Sequence, residues 1–216
     1  MATNDPQWLK NLSRRFQFLA VPHIAILLVT LQIFGFLLVL SDPVWFERLI
    51  LLPERVTNGE VWRLVTFLAI PLTSSPIWMV FALLFLNSVL SSIESEWGAF
   101  KTTLYVLTSI LVTVSFSFIF RYPVIQVTDF TSTLFLAAAA LFPEYEMRVY
   151  FLFPVKMKYL GWLALAFVGL RLLQGSWIDR FFILAIYSNY LLFFGPSAFS
   201  QFRNWKRRRE YRKNFR

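Results

Sequence analysis

Cysteine is absent and histidine occurs once, at His23, in a chain of 216 residues. Without cysteine there is no disulfide framework, thiol nucleophile or thiolate zinc site, and a lone histidine removes the usual imidazole metal centre. No metal or other cofactor is expected. Charge is scarce too: Asp, Glu, Lys and Arg make up 15% of the chain, against roughly 25% in soluble domains, too few to cover a water-facing surface. Their place is taken by apolar residues at 57%, with 19% aromatics and a mean hydropathy of +0.59. The balance excludes a soluble enzyme and points to an all-α integral membrane protein.

Apolar runs approaching the ~20 residues needed to cross ~30 Å of hydrocarbon occur six times: 18–40, 77–93, 102–120, 128–142, 159–173 and 178–195. Six transmembrane helices are expected, in one membrane domain over residues 18–195, between an N-terminal segment (1–17) and a basic tail (196–216). The first run follows Arg14 and Arg15 and is too long for a cleaved signal peptide, so it reads as a retained helix. The fourth run is short, and Ala137 to Ala140 give it almost no bulk, as suits a central helix closely surrounded by others. Between the first two runs lies a stretch with Pro43, Pro53, Pro71 and Pro76 beside Trp45, Phe46, Leu49 and Ile50. It is too apolar for a water-facing loop, and short helices in the membrane interface are expected there. Neither an internal repeat nor a second domain is visible.

With the N terminus inside, fifteen of the 21 Lys and Arg residues fall on the inner side and six on the other. The positive-inside rule therefore places both termini in the cytoplasm. The tail carries eight basic residues against Glu210, enough to attract anionic lipids at ~1 kcal/mol per charge near the surface. Nothing in it specifies nucleic acid.

Intramembrane proteolysis by a serine needs a base within hydrogen-bond reach. His23 sits at the cytoplasmic start of the first helix, where water or a carbonyl satisfies it, and Lys101, Lys156 and Lys158 are expected to snorkel outward. Polar residues inside the second helix form a stripe: Asn87 with Ser88, Ser91, Ser92 and Ser95 at three-to-four spacing. Close helix packing is the simpler reading, and a groove receiving another transmembrane segment is the functional one. Asp129 opens the fourth helix, where a carboxylate suits the positive end of the helix dipole. The paired broken helices and intramembrane carboxylates usual in transporters are not evident.

Three motifs carry a family likeness. The run from Gly59 to Phe67, with Trp62, Arg63 and Thr66, resembles the G-x-x-W-R-hydrophobic-hydrophobic-T signature of rhomboids and Derlins. The turn from Glu94 to Lys101 around Gly98, and the run from Phe153 to Tyr159, are similar to the stretches after the second helix and before the fifth in that superfamily. The resemblance implies a six-helix rhomboid-like core, a large first loop partly in the outer leaflet, and a substrate helix that enters laterally. It also implies a bacterial inner membrane. The departures matter as much. The family's G-x-S-G is replaced by Phe130-Thr131-Ser132-Thr133, its histidine base falls at Asn189, and its oxyanion pair falls near Trp78 and Ala82. Leu192 and Pro196 stand at the positions expected to be small on the sixth helix. Losing the base and the oxyanion donors together leaves no means of activating Ser132, so the chain resembles a pseudoprotease that binds transmembrane segments of client proteins for folding, assembly or quality control. Asn87, Ser88, Ser91 and Ser92 are the expected client groove. Trp62 and Arg63 are read first as a belt aromatic and a carbonyl partner holding the loop, and second as client contacts. The alternatives are a small transporter or channel, or an atypical protease using Ser132.

Overall fold

The computed structural model describes residues 12–149 and 153–194. The basic tail, Pro196 and the first eleven residues lie outside the described residues. Helices occupy all six apolar runs: α1 (Ile24–Ser41), α5 (Pro76–Trp97), α6 (Ala99–Phe120), α7 (Thr128–Leu141), α8 (Met157–Gln174) and α9 (Trp177–Phe194). Three short helices, α2 (Val44–Leu49), α3 (Pro53–Thr57) and α4 (Arg63–Thr66), fill the stretch before α5. Four segments are long and apolar enough to cross a membrane: Gln17–Ser41, which takes in α1, and α5, α6 and α9. At 1.5 Å per residue, a helix of α5's length reaches about 33 Å and one of α7's only about 21 Å.

The ends of these helices follow from local chemistry. α5 starts at Pro76, where the missing N–H costs nothing. It stops at Trp97 because Gly98 takes φ +78, which lets the chain reverse directly into α6. α6 in turn ends where Arg121 enters the left-handed region at φ 49.

Large apolar side chains cover the outside, among them Leu84, Ile119, Trp162, Leu173 and Leu191, all exposed. A soluble protein would bury such residues, whereas hydrocarbon solvates them. Inside, α7 is the most enclosed helix. Leu134, Ala137 and Ala138 are fully buried, as its small residues foretell. α5 and α8 each pack on α7, and α1 packs on α5. α9 runs antiparallel to α6, since Phe193 meets Tyr105 near one end and Phe182 meets Phe116 near the other.

The loop helices do more than rest at an interface. The turn Phe67–Ala69 that follows α4 is buried against α1, where the Gln32 amide donates to the carbonyls of Leu68 and Ile70 at 2.5 and 2.9 Å. Gly35 makes the approach possible, because a Cβ there would lie 1.8 Å from the Ala69 carbonyl oxygen. A two-residue bridge ties Leu51 to Val124, joining the loop to the α6–α7 connection.

Two features depart from expectation. A two-stranded antiparallel hairpin, β1 (Glu146–Val149) and β2 (Phe153–Lys156), stands between α7 and α8, in a stretch rich in aromatic residues that suit a pleated strand. Lys101 does not snorkel. It is buried within the first turn of α6, its ammonium 4.6 Å from the centroid of the Trp97 ring, which solvates the cation.

Candidate functional site

The first turns of α7 carry Asp129, Thr131, Ser132 and Thr133. Asp129 is buried and ion-paired with Arg171 of α8, which neutralises a charge that burial would otherwise penalise. The hydroxyls that follow are spent on their own helix. Ser132 donates to the Thr128 carbonyl at 2.7 Å, Thr131 to Thr128 at 3.0 Å, and Thr133 to Phe130 at 2.8 Å.

Asn189, where the rhomboid resemblance would put a histidine, is buried on α9 and turned toward α6. Its amide donates to the Tyr105 carbonyl at 3.1 Å and to the Ser109 hydroxyl at 2.6 Å. Tyr105 in turn donates to the Thr133 carbonyl at 3.0 Å. The amide and Tyr105 thus link α6, α7 and α9, and the hydrogen bonds of Ser132 and Asn189 run to different partners. A carboxamide is no proton acceptor of useful basicity, and here its donors serve packing.

The other candidate bases stand in other parts of the structure. The backbone N–H of His23 donates to the Glu94 carboxylate at 2.7 Å at the corner before α1. Lys156 and Lys158 grip Glu144 at 2.9 and 2.6 Å, and Lys158 foremost, with Lys156, holds that exposed carboxyl down to about 2. Past the end of α6, burial pushes the Tyr122 hydroxyl well above the usual phenol range, and its 2.7 Å bond to Asp179 adds to the shift. Among the described residues, no cluster of three or more His, Asp or Glu could hold a metal.

Ser132 does lie on a surface. A lateral groove of 360 Å³ between α5 and α7 is walled by Leu72, Ala82, Phe85, Val89, Ser132 and Phe135. Ala82 brings no donor to this wall, and Trp78 is half exposed on the same helix. The site therefore sets the Ser132 hydroxyl, donating to its own helix, beside an apolar trough.

The polar stripe of α5 faces another way. Val89 and Ser91 are two residues apart, about 200° on a helical wheel. Val89 is buried toward the protein, and Ser91 is exposed on the far side. Asn87 is exposed beside it, with Ser88 and Ser92 half buried at the margins. The sequence thus located a real polar face, but one that looks out of the molecule rather than into the α5–α7 trough.

Trp62 is half exposed, whereas Arg63 is buried at 5% exposure. The Arg63 guanidinium donates to the carbonyls of Glu47 and Ile50 at 2.6 and 2.8 Å and pairs with Glu60 at 2.6 Å. It clamps α2 to α4, the loop-holding role read from the sequence. The polar contacts not foreseen include Gln32 on the loop turn and the Asp129–Arg171 pair. The second left a trace in the sequence, because an arginine inside an apolar run requires a partner.

No family model, curated protein or solved structure matches the chain.

Proposed function

We propose that the chain is a non-proteolytic, rhomboid-like membrane protein whose α5 outer face binds transmembrane segments of other proteins. The observation that carries this reading is Asn87. It stands midway along a 22-residue apolar helix, exposed, with exposed Ser91 one turn on. A carboxamide at such depth in hydrocarbon wants a hydrogen-bond partner, and a client helix with its own polar groups supplies one. Six spans, cytoplasmic termini and a bacterial inner membrane belong to the same proposal. The helix order, the short-helix first loop and the short enclosed α7 support it.

The non-proteolytic half rests on Ser132 donating to its own helix and on the absence of histidine beyond position 23. A serine-reactive fluorophosphonate should leave the purified protein unlabelled, and Ser132→Ala should change nothing. Labelling that vanishes in Ser132→Ala would restore the protease reading. For the binding half, each interhelical hydrogen bond is worth ~0.6 kcal/mol, about threefold in affinity. Asn87→Leu with Ser91→Leu should therefore weaken co-purification of membrane partners about tenfold while the protein accumulates normally. Undiminished capture would remove the α5 face from consideration.

A further inference from the structure

A second groove lies away from α5, between the N-terminal segment and α6. It has a volume of 220 Å³, with Leu12, Phe16 and Leu19 on one wall and Phe100, Leu104 and Leu107 on the other. On α6 the wall repeats at four-then-three spacing and presents one helical face, while the facing wall comes from the bent segment in which Phe16 precedes the turn Gln17–Leu19. Thr103 is the single polar residue on the lining, and its hydroxyl is already engaged with the backbone of Val21, accepting from N–H at 3.1 Å and donating to C=O at 3.3 Å. That clasp fixes the segment beside α6 and leaves the cleft without a free polar group.

We propose that this groove binds one acyl chain of an anionic phospholipid, whose phosphate is held by Arg14 and Arg15. Charge is the first argument. Arg14 and Arg15 are exposed and lie in sequence between the wall residues Leu12 and Phe16, and the Arg15 guanidinium carbon is 5.9 Å from the centroid of the Phe16 ring. A cation therefore stands at the rim of the apolar cleft, the pairing a phospholipid presents in reverse.

Length is the second argument. The apolar stripe continues along α6 from Phe100 through Leu104 and Leu107 to exposed Leu111. Those eleven steps of helix rise about 16 Å, close to the ~15 Å that makes up one leaflet of a ~30 Å hydrocarbon core. An acyl chain laid along the stripe would have its headgroup at the level of the arginines. Dispersion contacts with the walls then come from a chain already in the hydrocarbon, and the arginines supply the selectivity.

Native mass spectrometry of the full-length protein tests this, with phosphatidylglycerol and phosphatidylcholine of identical acyl chains as probes. At ~1 kcal/mol per basic residue, two arginines should favour the anionic lipid by tenfold or more. Arg14→Gln with Arg15→Gln should erase the preference, and added inorganic phosphate should not displace the lipid. Leu104→Trp, which fills the groove, should release phosphatidylglycerol with both arginines in place; Leu107→Trp serves if that variant does not fold. Four results would overturn the proposal: equal retention of the two lipids, a preference that disappears only in Arg207→Gln/Arg208→Gln/Arg209→Gln, retention in the filled variants, or a groove occupied by a second copy in a lipid-free dimer.

Discussion

Arg63 shows how one side chain can organise a loop of more than thirty residues. Its guanidinium satisfies two carbonyls and a carboxylate while buried, a geometry that a planar fork can meet and an ammonium cannot. Arg63→Ala should cost about 3 kcal/mol, because it strands two carbonyls in a poorly hydrated place and leaves Glu60 with Arg55 alone, at 3.5 Å. Arg63→Lys should recover less than half of that. Thermal unfolding in detergent measures both; a neutral Arg63→Ala would mean the clamp is dispensable. Glu144 makes a pH prediction. Its carboxyl is held at about 2 in the folded protein against an ordinary value of 4.5, so its contribution is present above pH 4.5 and lost as pH falls toward 2. Glu144→Gln should remove that part of the pH dependence of the melting midpoint. An unchanged slope between those values would show that the two lysines do not act through it.

Among the elements, the crossing of α7 and α8 is set by a small-on-small contact. A Cβ on Gly161 would come within 2.9 Å of the Ala139 Cβ, so the helices meet at that point with no room to spare. Gly161→Val should destabilise by about 1–3 kcal/mol through overpacking, and adding Ala139→Gly should return much of it. If the two changes are simply additive, the crossing lies elsewhere. The helices themselves were legible in the sequence because uninterrupted apolar runs leave few alternatives, and the alanines of α7 foretold its enclosure. Their rotations were harder to read. α1 is apolar on nearly every side and only Gln32, a polar residue inside it, marks the side that meets the loop, while the role of Gly35 emerges only once Ala69 lies against it. The same limit applies to α5. Spacing put Asn87, Ser88, Ser91 and Ser92 together, but whether that face looked inward depended on where α7 would pack. The hairpin before α8 was hidden because a short aromatic run suits a strand as well as a helix end.

At the scale of the whole molecule, two surfaces are proposed to meet different parts of the membrane's contents: the outer face of α5 for protein helices and the N-terminal groove for a lipid. Ser132 belongs to neither, in a trough whose polar groups are already satisfied. A binder of this design would retain clients by several weak contacts and release them intact. The most direct measurement is a photocrosslinker introduced at Leu84, an exposed position one turn before Ser88, followed by irradiation of native membranes. The adduct should contain a second membrane protein at full length, and it should weaken in the Asn87→Leu/Ser91→Leu background. Adducts confined to the chain's own helices, or clients recovered only as cleaved fragments, would contradict the proposal.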